Sequence, residues 1–435
     1  MKNMFSVYIL IAGLFLCKAD TLTLPEAQHL VFENNHRLLI SRKESDVSRA
    51  ALEQARSAWH PHLSASANYG YQTEEQTLDI SLPPPIGAME RTIGDKDRVE
   101  FGADISWPVF TGFGRMYRIK SRESSVKAAG YSTAQLKERL SFELGMLYFG
   151  CELAQKTVDN HKDQVERLGK YCEHIRELHN AGMAIRADIA KAEARLAGAR
   201  VALLSAQNRA DSLRGEIAVM TGIENRSLTF REYAIEIDSA DVAAMVTGPP
   251  LQNKPVVKAL DMSVEQLRSF ERAAGAERWP SLAVSAGYRY ADPGPSLGGD
   301  GFTGYGIAGM RLSWKLYDGF TTRANLRQIE LQQQIVKERR EELLADLKNR
   351  VRTAQQGLQT SLKQIEAARL AVDASEQHTG DIRNAVDAGT ATSLEYLNAL
   401  QDRADARLMH DRAVFSYKQQ YLMLRFASGK QLCFE

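Results

Sequence analysis

The chain has 435 residues, 25% of them charged and 44% hydrophobic, a balance that excludes wholesale disorder. Lys and Arg number 55 against 54 Asp and Glu, so there is no bulk charge excess of the kind that draws a protein onto nucleic acid or anionic lipid. Four cysteines, at 17, 151, 172 and 433, include no Cys-x-x-Cys, which indicates neither a disulfide framework nor a structural zinc site. The twelve prolines leave 109–248 and 296–435 free of proline, and proline is excluded from helix interiors, so two stretches permit very long helices.

Residues 1–19 read as a secretory signal: Lys2 gives a positive start, Met4 to Leu16 an apolar run, and Cys17-Lys18-Ala19 a cleavage region before Asp20. Leu14-Phe15-Leu16-Cys17 also resembles a bacterial lipobox, with leucine in the position before the cysteine, and that alternative would attach lipid to Cys17. The apolar run is shorter than the roughly 20 residues that span a bilayer as a helix, and no later segment is long and apolar enough. A crossing of the membrane then has to be made by strands.

The rest is a duplication. Asn34, Pro61 and Leu63 recur as Asn253, Pro280 and Leu282, and Trp107, Gly112, Phe113, Gly182 and Gly222 recur as Trp314, Gly319, Phe320, Gly389 and Gly429. The offset changes between Leu63 and Trp107, so the first copy holds a longer insertion there, around Pro83-Pro84-Pro85. The copies take in 20–222 and 249–435, with a linker at 223–248, and each has the order helix, strand, loop, strand, very long helix, turn, helix.

Within each copy the strands alternate apolar and polar residues, the period of two of a sheet with one apolar face. They are placed at about 63–71, 99–109, 282–290 and 304–316, roughly the length that crosses a bilayer when tilted. Tyr69, Tyr71, Trp107, Tyr288, Tyr290 and Trp314 sit where interfacial aromatic girdles belong. The long helices are placed at 115–180 and 322–387, about 100 Å each at 1.5 Å per residue. Their apolar seams step alternately by three and four, Leu144, Leu147, Cys151, Ala154, Val158, His161, Val165, Leu168, Cys172 and Ile175 in copy one, and Val351 through Ile382 in copy two. Such a repeat means helices packed side by side. A return helix continues the seam from Ile189 to Met220 with alternating alanines, and a fourth helix, 395–426, has a blurred seam. Four strands cannot close a membrane barrel, because open edges leave backbone groups unpaired in lipid, so several chains must share one.

The sequence resembles the TolC-like outer-membrane efflux protein family. The resemblance rests on Asn180-Ala181-Gly182 followed by Asp188-Ile189, on Asp387-Ala388-Gly389 followed by Glu395-Tyr396-Leu397, and on Trp59-x-Pro61 and Trp279-Pro280 before strands. It implies an α+β membrane protein whose homotrimer forms a twelve-stranded β-barrel in outer-membrane lipid, continuous with a periplasmic α-helical barrel. The implied role is the exit duct of a tripartite efflux or type I secretion system, with a periplasmic adaptor protein and an inner-membrane transporter as partners. It implies adaptor contacts at Ala181, Gly182 and Met183 and at Ala388, Gly389 and Thr390, and a periplasmic gate at Glu395, Asn398 and Asp188. The family's tyrosine and arginine partners of the Asp188 lock fall on Val386 and Ala391, so Arg383 or Arg186 would have to serve instead. The plainer reading of Glu395 is a solvated acid complementing a helix N-terminus.

No Ser-His-Asp, His-Glu-x-x-His or paired-carboxylate arrangement points to an enzyme. His60-Pro61-His62 has no local carboxylate or cysteine to complete a metal site, so no metal or cofactor is expected. The reading that competes with a duct is a periplasmic coiled-coil scaffold or adaptor without a pore.

Overall fold

The computed structural model describes residues 21–74, 76–81, 83, 87–94, 96–223, 229–233, 251–292, 294–295 and 301–430; the expected leader with Cys17 and most of the 223–248 linker lie outside the described residues. Helices α1 (Leu24–Asn34) and α2 (His36–Ser57) lead into strand β2 (His62–Tyr71), preceded by the short β1 (Thr21–Leu22). After β3 (Gln76–Ser81), β4 (Ala88–Gly94) and β5 (Asp97–Thr111) come α3 (Gly114–Asn180) and α4 (Arg186–Thr221). A short β6 (Thr229–Phe230) precedes copy two: α5 (Pro255–Gly275), β7 (Ser281–Asp292), β8 (Thr303–Ser313), α6 (Thr321–Asp387) and α7 (Ser393–Ser428). Among the described residues no helix is long and apolar enough to cross a membrane.

The chain divides into two compact units, and each draws on both copies: Lys43–Ser132 with Val256–Glu342 is one, and the segments up to Arg42, Thr133–Pro255 and Leu343–Glu435 the other. The first holds a four-stranded antiparallel sheet in the order β2-β5-β7-β8. Both hairpins have the same register, since His62 opposite Ser106 becomes Ser281 opposite Ser313 under the sequence offsets of 219 and 207. Strand β8 stops at Ser313, short of the expected 316, because its partner begins at Ser281 just after Pro280 and the ladder has nothing further to bond. The insertion of copy one carries an additional hairpin, β3 with β4, which its prolines had marked only as a loop.

One face of the four-stranded sheet carries Leu63, Tyr69, Phe101, Ile105, Trp107, Tyr288, Met310 and Leu312, all exposed, with Met310 at 78%. The other face carries Ser64, Ser66, Asn68, Glu100, Asp104, Ser285 and Arg289. Trp107 donates from Nε1 to the Trp59 carbonyl at 2.9 Å, and Trp314 does the same to Arg278 at 3.1 Å. These are equivalent positions of the two copies, so each sheet end is tied to the segment that enters it.

In the helical unit every residue of the expected α3, α4 and α6 seams is buried or half-buried. One core joins Leu140, Leu144, Tyr148 and Phe149 of α3 to Leu213 and Ile217 of α4, to Leu24 and Val31 of α1, and to Leu38. Each fully buried leucine there contributes about 1.5–3 kcal/mol of transfer free energy. A second core joins Leu168, Cys172 and Ile175 of α3 to Ala192 and Ala199 of α4 and to Leu397 and Leu400 of α7. A third joins Ala354 and Leu358 of α6 to Tyr421 and Leu424 of α7. Helix α7 therefore buries residues against α3 and α4 in one core and against α6 in another, which is why no single seam marks it in sequence. The helix ends opposite the tips are again equivalent: Asn35 donates from Nδ2 to Met220 O at 3.1 Å, and its counterpart Lys254 from Nζ to Ala427 O at 3.5 Å.

Candidate functional site

Helices α3 and α6 both end in a glycine of left-handed conformation, Gly182 at φ 77° and Gly389 at φ 75°. The same two bonds close each end: Met183 N–H to Leu178 O and Thr390 N–H to Ala385 O, both 2.8 Å, with Gly182 N–H to His179 O at 2.9 Å and Gly389 N–H to Val386 O at 3.0 Å. This termination satisfies carbonyls that the helix leaves orphaned and reverses the chain within a few residues. Ala181, Gly182, Met183, Ala388, Gly389 and Thr390 are all exposed, so both tips offer small residues and one thioether to solvent.

The returning helices start with a carboxylate in equivalent positions. Thr392 and Glu395 form a complete capping box: Thr392 N–H donates to Glu395 Oε2 at 2.6 Å, the Thr392 hydroxyl donates to the same oxygen at 2.8 Å, and Glu395 N–H donates to Thr392 Oγ1 at 3.3 Å. The bond from the Thr392 backbone, followed by that from its side chain, holds the Glu395 carboxyl below its ordinary value. In copy one the cap position is Ile185, which has no side-chain oxygen, and only the bond from Ile185 N–H to Asp188 Oδ2 at 3.4 Å remains. Glu395 and Asn398 are exposed and Asp188 is half-buried. Within one chain, Glu395 thus completes a helix start while keeping its charge at the surface.

Behind the tips lies a cleft of about 430 Å³ lined by residues that include Asp163, Lys170, Tyr171, His174, Arg383 and Asp387. Arg383, one of the two expected substitute partners of Asp188 beside Arg186, faces this cleft, whereas Asp188 is engaged by its own helix start. Other groups span from helix to helix here. The Tyr171 hydroxyl of α3 meets Ser393 Oγ of α7 at 2.6 Å, and His174 Nε2 lies 3.6 Å from Asp387 of α6. Farther along, Arg403 and Arg407 of α7 bridge Asp163 of α3 and Glu376 of α6: Arg403 stands 3.6 Å from Asp163 and 3.4 Å from Glu376, and Arg407 stands 3.2 Å from Asp163. Burial works to raise the Asp163 carboxyl, but its bond to Arg167 and the nearby Arg403 and Arg407 outweigh that and hold it below the usual range. Arg407, hydrogen-bonded to Glu376, depresses that carboxyl as well. Sequence reading missed this clasp, because its members are spread over three helices and each alone is an ordinary surface charge.

Burial pushes the Cys151 thiol up to about 12 and raises that of Cys172, which leaves both as packing groups. His161 is half-buried and its Nδ1 lies 3.3 Å from Gln164 Oε1, a satisfied polar contact.

The six aromatic residues form two bands on the apolar face of the sheet, all exposed. Trp107 and Trp314 lie at the helix end, one step past the last pair of the β2–β5 and β7–β8 hairpins respectively, and Tyr71 and Tyr290 lie at the level ten residues farther along the strand. That separation is about 34 Å along the strand, or about 24 Å along a bilayer normal at 45° tilt, close to the roughly 25 Å apolar band of membrane barrels.

The profile of the outer membrane efflux protein family matches residues 28–222 and 250–430, one stretch in each copy. Outer membrane protein TolC of Vibrio cholerae serotype O1 is 21% identical over 413 residues, 93% of this chain and 90% of that protein. Outer membrane efflux protein BepC of Brucella suis biovar 1 is 23% identical over 434 residues, 96% of this chain and 89% of that protein. The solved Campylobacter jejuni CmeC outer membrane channel superposes with a TM-score of 0.77 at 15% identity, over 95% of this chain and 86% of that one.

Proposed function

Because the chain belongs to the outer membrane efflux protein family, whose place is the outer membrane and whose role is efflux, we propose that it is the exit duct of a tripartite efflux or type I secretion system. Three chains close one twelve-stranded barrel, a periplasmic adaptor protein docks on the tips, and an inner-membrane transporter delivers the cargo. The observation that carries this reading is the sheet: four strands of 10, 15, 12 and 11 residues, with an uncovered apolar face, a polar face, and two outer edges that no strand of this chain pairs among the described residues. Edges left open in lipid cost several kcal/mol per unsatisfied backbone group, and neighbouring chains remove that cost. A pore-free scaffold has no use for such a face.

The tips test the adaptor part. Valine in place of Gly182 or Gly389 puts a β-branched residue at positive φ, at a cost of about 1–2 kcal/mol or more, and adds bulk where nothing else crowds the position. Export of cargo from cells lacking the native gene is expected to fall at least tenfold in both variants, while trimers still assemble in the outer membrane. Unimpaired export by both would remove the tips from the docking surface.

A further inference from the structure

The polar face of the sheet holds a charge cluster that no part of the tip machinery uses. Arg289 of β7 reaches Glu100 with Nε at 3.1 Å and Asp104 with Nη2 at 2.8 Å, both on β5. It therefore spans the junction at which the hairpin of copy one meets the hairpin of copy two. Two glycines make room for it: a Cβ on Gly102 would stand 2.8 Å from Arg289 Nη1, and a Cβ on Gly287 would stand 2.5 Å from an Asp104 carboxylate oxygen. The Nη1 of the guanidinium consequently sits where a side chain at either glycine would crowd it, and it is buried with no hydrogen-bond partner among the described residues.

In a membrane barrel the apolar face meets lipid and the polar face lines the lumen. Alternation puts Arg98 and Arg311 on this same polar face, Arg98 opposite Gly70 and Arg311 opposite Ala283. Arg98 is two residues from Glu100, about 7 Å, whereas Arg311 lies six residues along β7 from the level of Arg289, about 20 Å. That second distance exceeds the screening length of about 8 Å at physiological salt, so the Arg311 level acts as a separate band. Among the described residues the band around Arg289 is Glu100, Asp104 and Arg289 itself, two acids against one base, with Arg98 flanking it four residues along β5 from the level of Arg289.

We infer that Arg289, held by Glu100 and Asp104, is a selectivity-determining residue of the barrel lumen: it sets the fixed charge that a permeating ion or charged solute meets there, independently of the gate at the helix tips. The inference rests on the duct reading above. Three chains repeat the cluster around the lumen, so one substitution changes the band by three charges.

The test is the reversal potential of the purified protein in a planar bilayer under a potassium chloride gradient, with trimer mass checked on each sample. Arg289→Gln is expected to move it toward the potassium potential, and Glu100→Gln combined with Asp104→Asn toward the chloride potential, each by roughly twofold or more in permeability ratio. Arg289→Lys retains the charge and is expected to leave selectivity near that of the unaltered protein. Should Arg289→Gln fail to assemble, the paired acid substitution, which leaves no unpaired carboxylate, carries the test. Conducting trimers in which the substitutions leave the reversal potential unmoved, or move it in one common direction, overturn the inference and leave the duct intact. Trimers of the unaltered protein that never conduct overturn the duct and the inference together.

Discussion

Asp188 and Glu395 occupy the same position in the two copies, yet only Glu395 has a threonine cap to work with. The distinction separates a structural role from an electrostatic one. A capping box accepts Gln as well as Glu at its third position, so Glu395→Gln keeps the helix start and removes the charge. Thr392→Ala instead removes the cap, at a cost of about 1 kcal/mol, and keeps the charge. If Glu395 lines the gate, Glu395→Gln lowers cation preference with tip amide exchange unchanged, and Thr392→Ala speeds exchange with selectivity unchanged. Amide exchange and reversal potentials measured on both variants check this, and a Glu395→Gln channel of unaltered selectivity would take the residue out of the pore. The position of Glu395 relative to the tip glycine was legible in the sequence, as was its reading as a helix-start acid. The clasp was not, since Asp163, Glu376, Arg403 and Arg407 meet only once three helices are packed.

That clasp belongs to the scale of elements. The long helices were legible nearly to the residue because a seam of three-four spacing, an absence of proline and a terminal glycine all agree. Where one helix packs on three neighbours, as α7 does, or where Tyr148 and Phe149 turn off the seam toward α1 and the short β1 and β6 pair, periodicity alone gives no answer. The Tyr148 hydroxyl lies 2.9 Å from Leu22 O and 2.6 Å from Arg231 O, contacts from segments far apart in sequence. For the clasp, the sign of the pH effect follows from carboxyls held below their ordinary values. Its stabilisation is fully present above the ordinary carboxylate range and is lost as pH falls through the depressed values of Asp163 and Glu376. If the clasp holds the helices of the closed duct together, conductance is expected to stay constant from pH 8 to about 5 and to rise below about pH 4. Arg403→Met, which removes a hydrogen bond to Glu376 at 3.4 Å and an ion pair with Asp163 at 3.6 Å, each worth about 1 kcal/mol or less because both carboxylates are partly exposed, is expected to raise conductance already at pH 7. Conductance recorded over that pH range for both proteins checks the assignment, and a low, pH-independent Arg403→Met conductance would contradict it.

On the scale of the whole molecule, the duplication was the most informative feature of the sequence, because its constant offsets also fix the register of both hairpins and both helix-end contacts. The insertion was the least informative: Pro83-Pro84-Pro85 marked a loop, and the short β3 and β4 flanking it have no counterpart in copy two to corroborate them. The requirement for partners also came from counting strands, since four leave two open edges in lipid. The central claim is therefore that three chains make one conducting barrel. The most direct measurement is single-channel conductance of detergent-purified protein in a planar bilayer, with the oligomer mass determined on the same sample. Trimers that insert and conduct in discrete steps are the predicted result; monomers or dimers that never conduct would contradict it and return the four strands to a sheet without a pore.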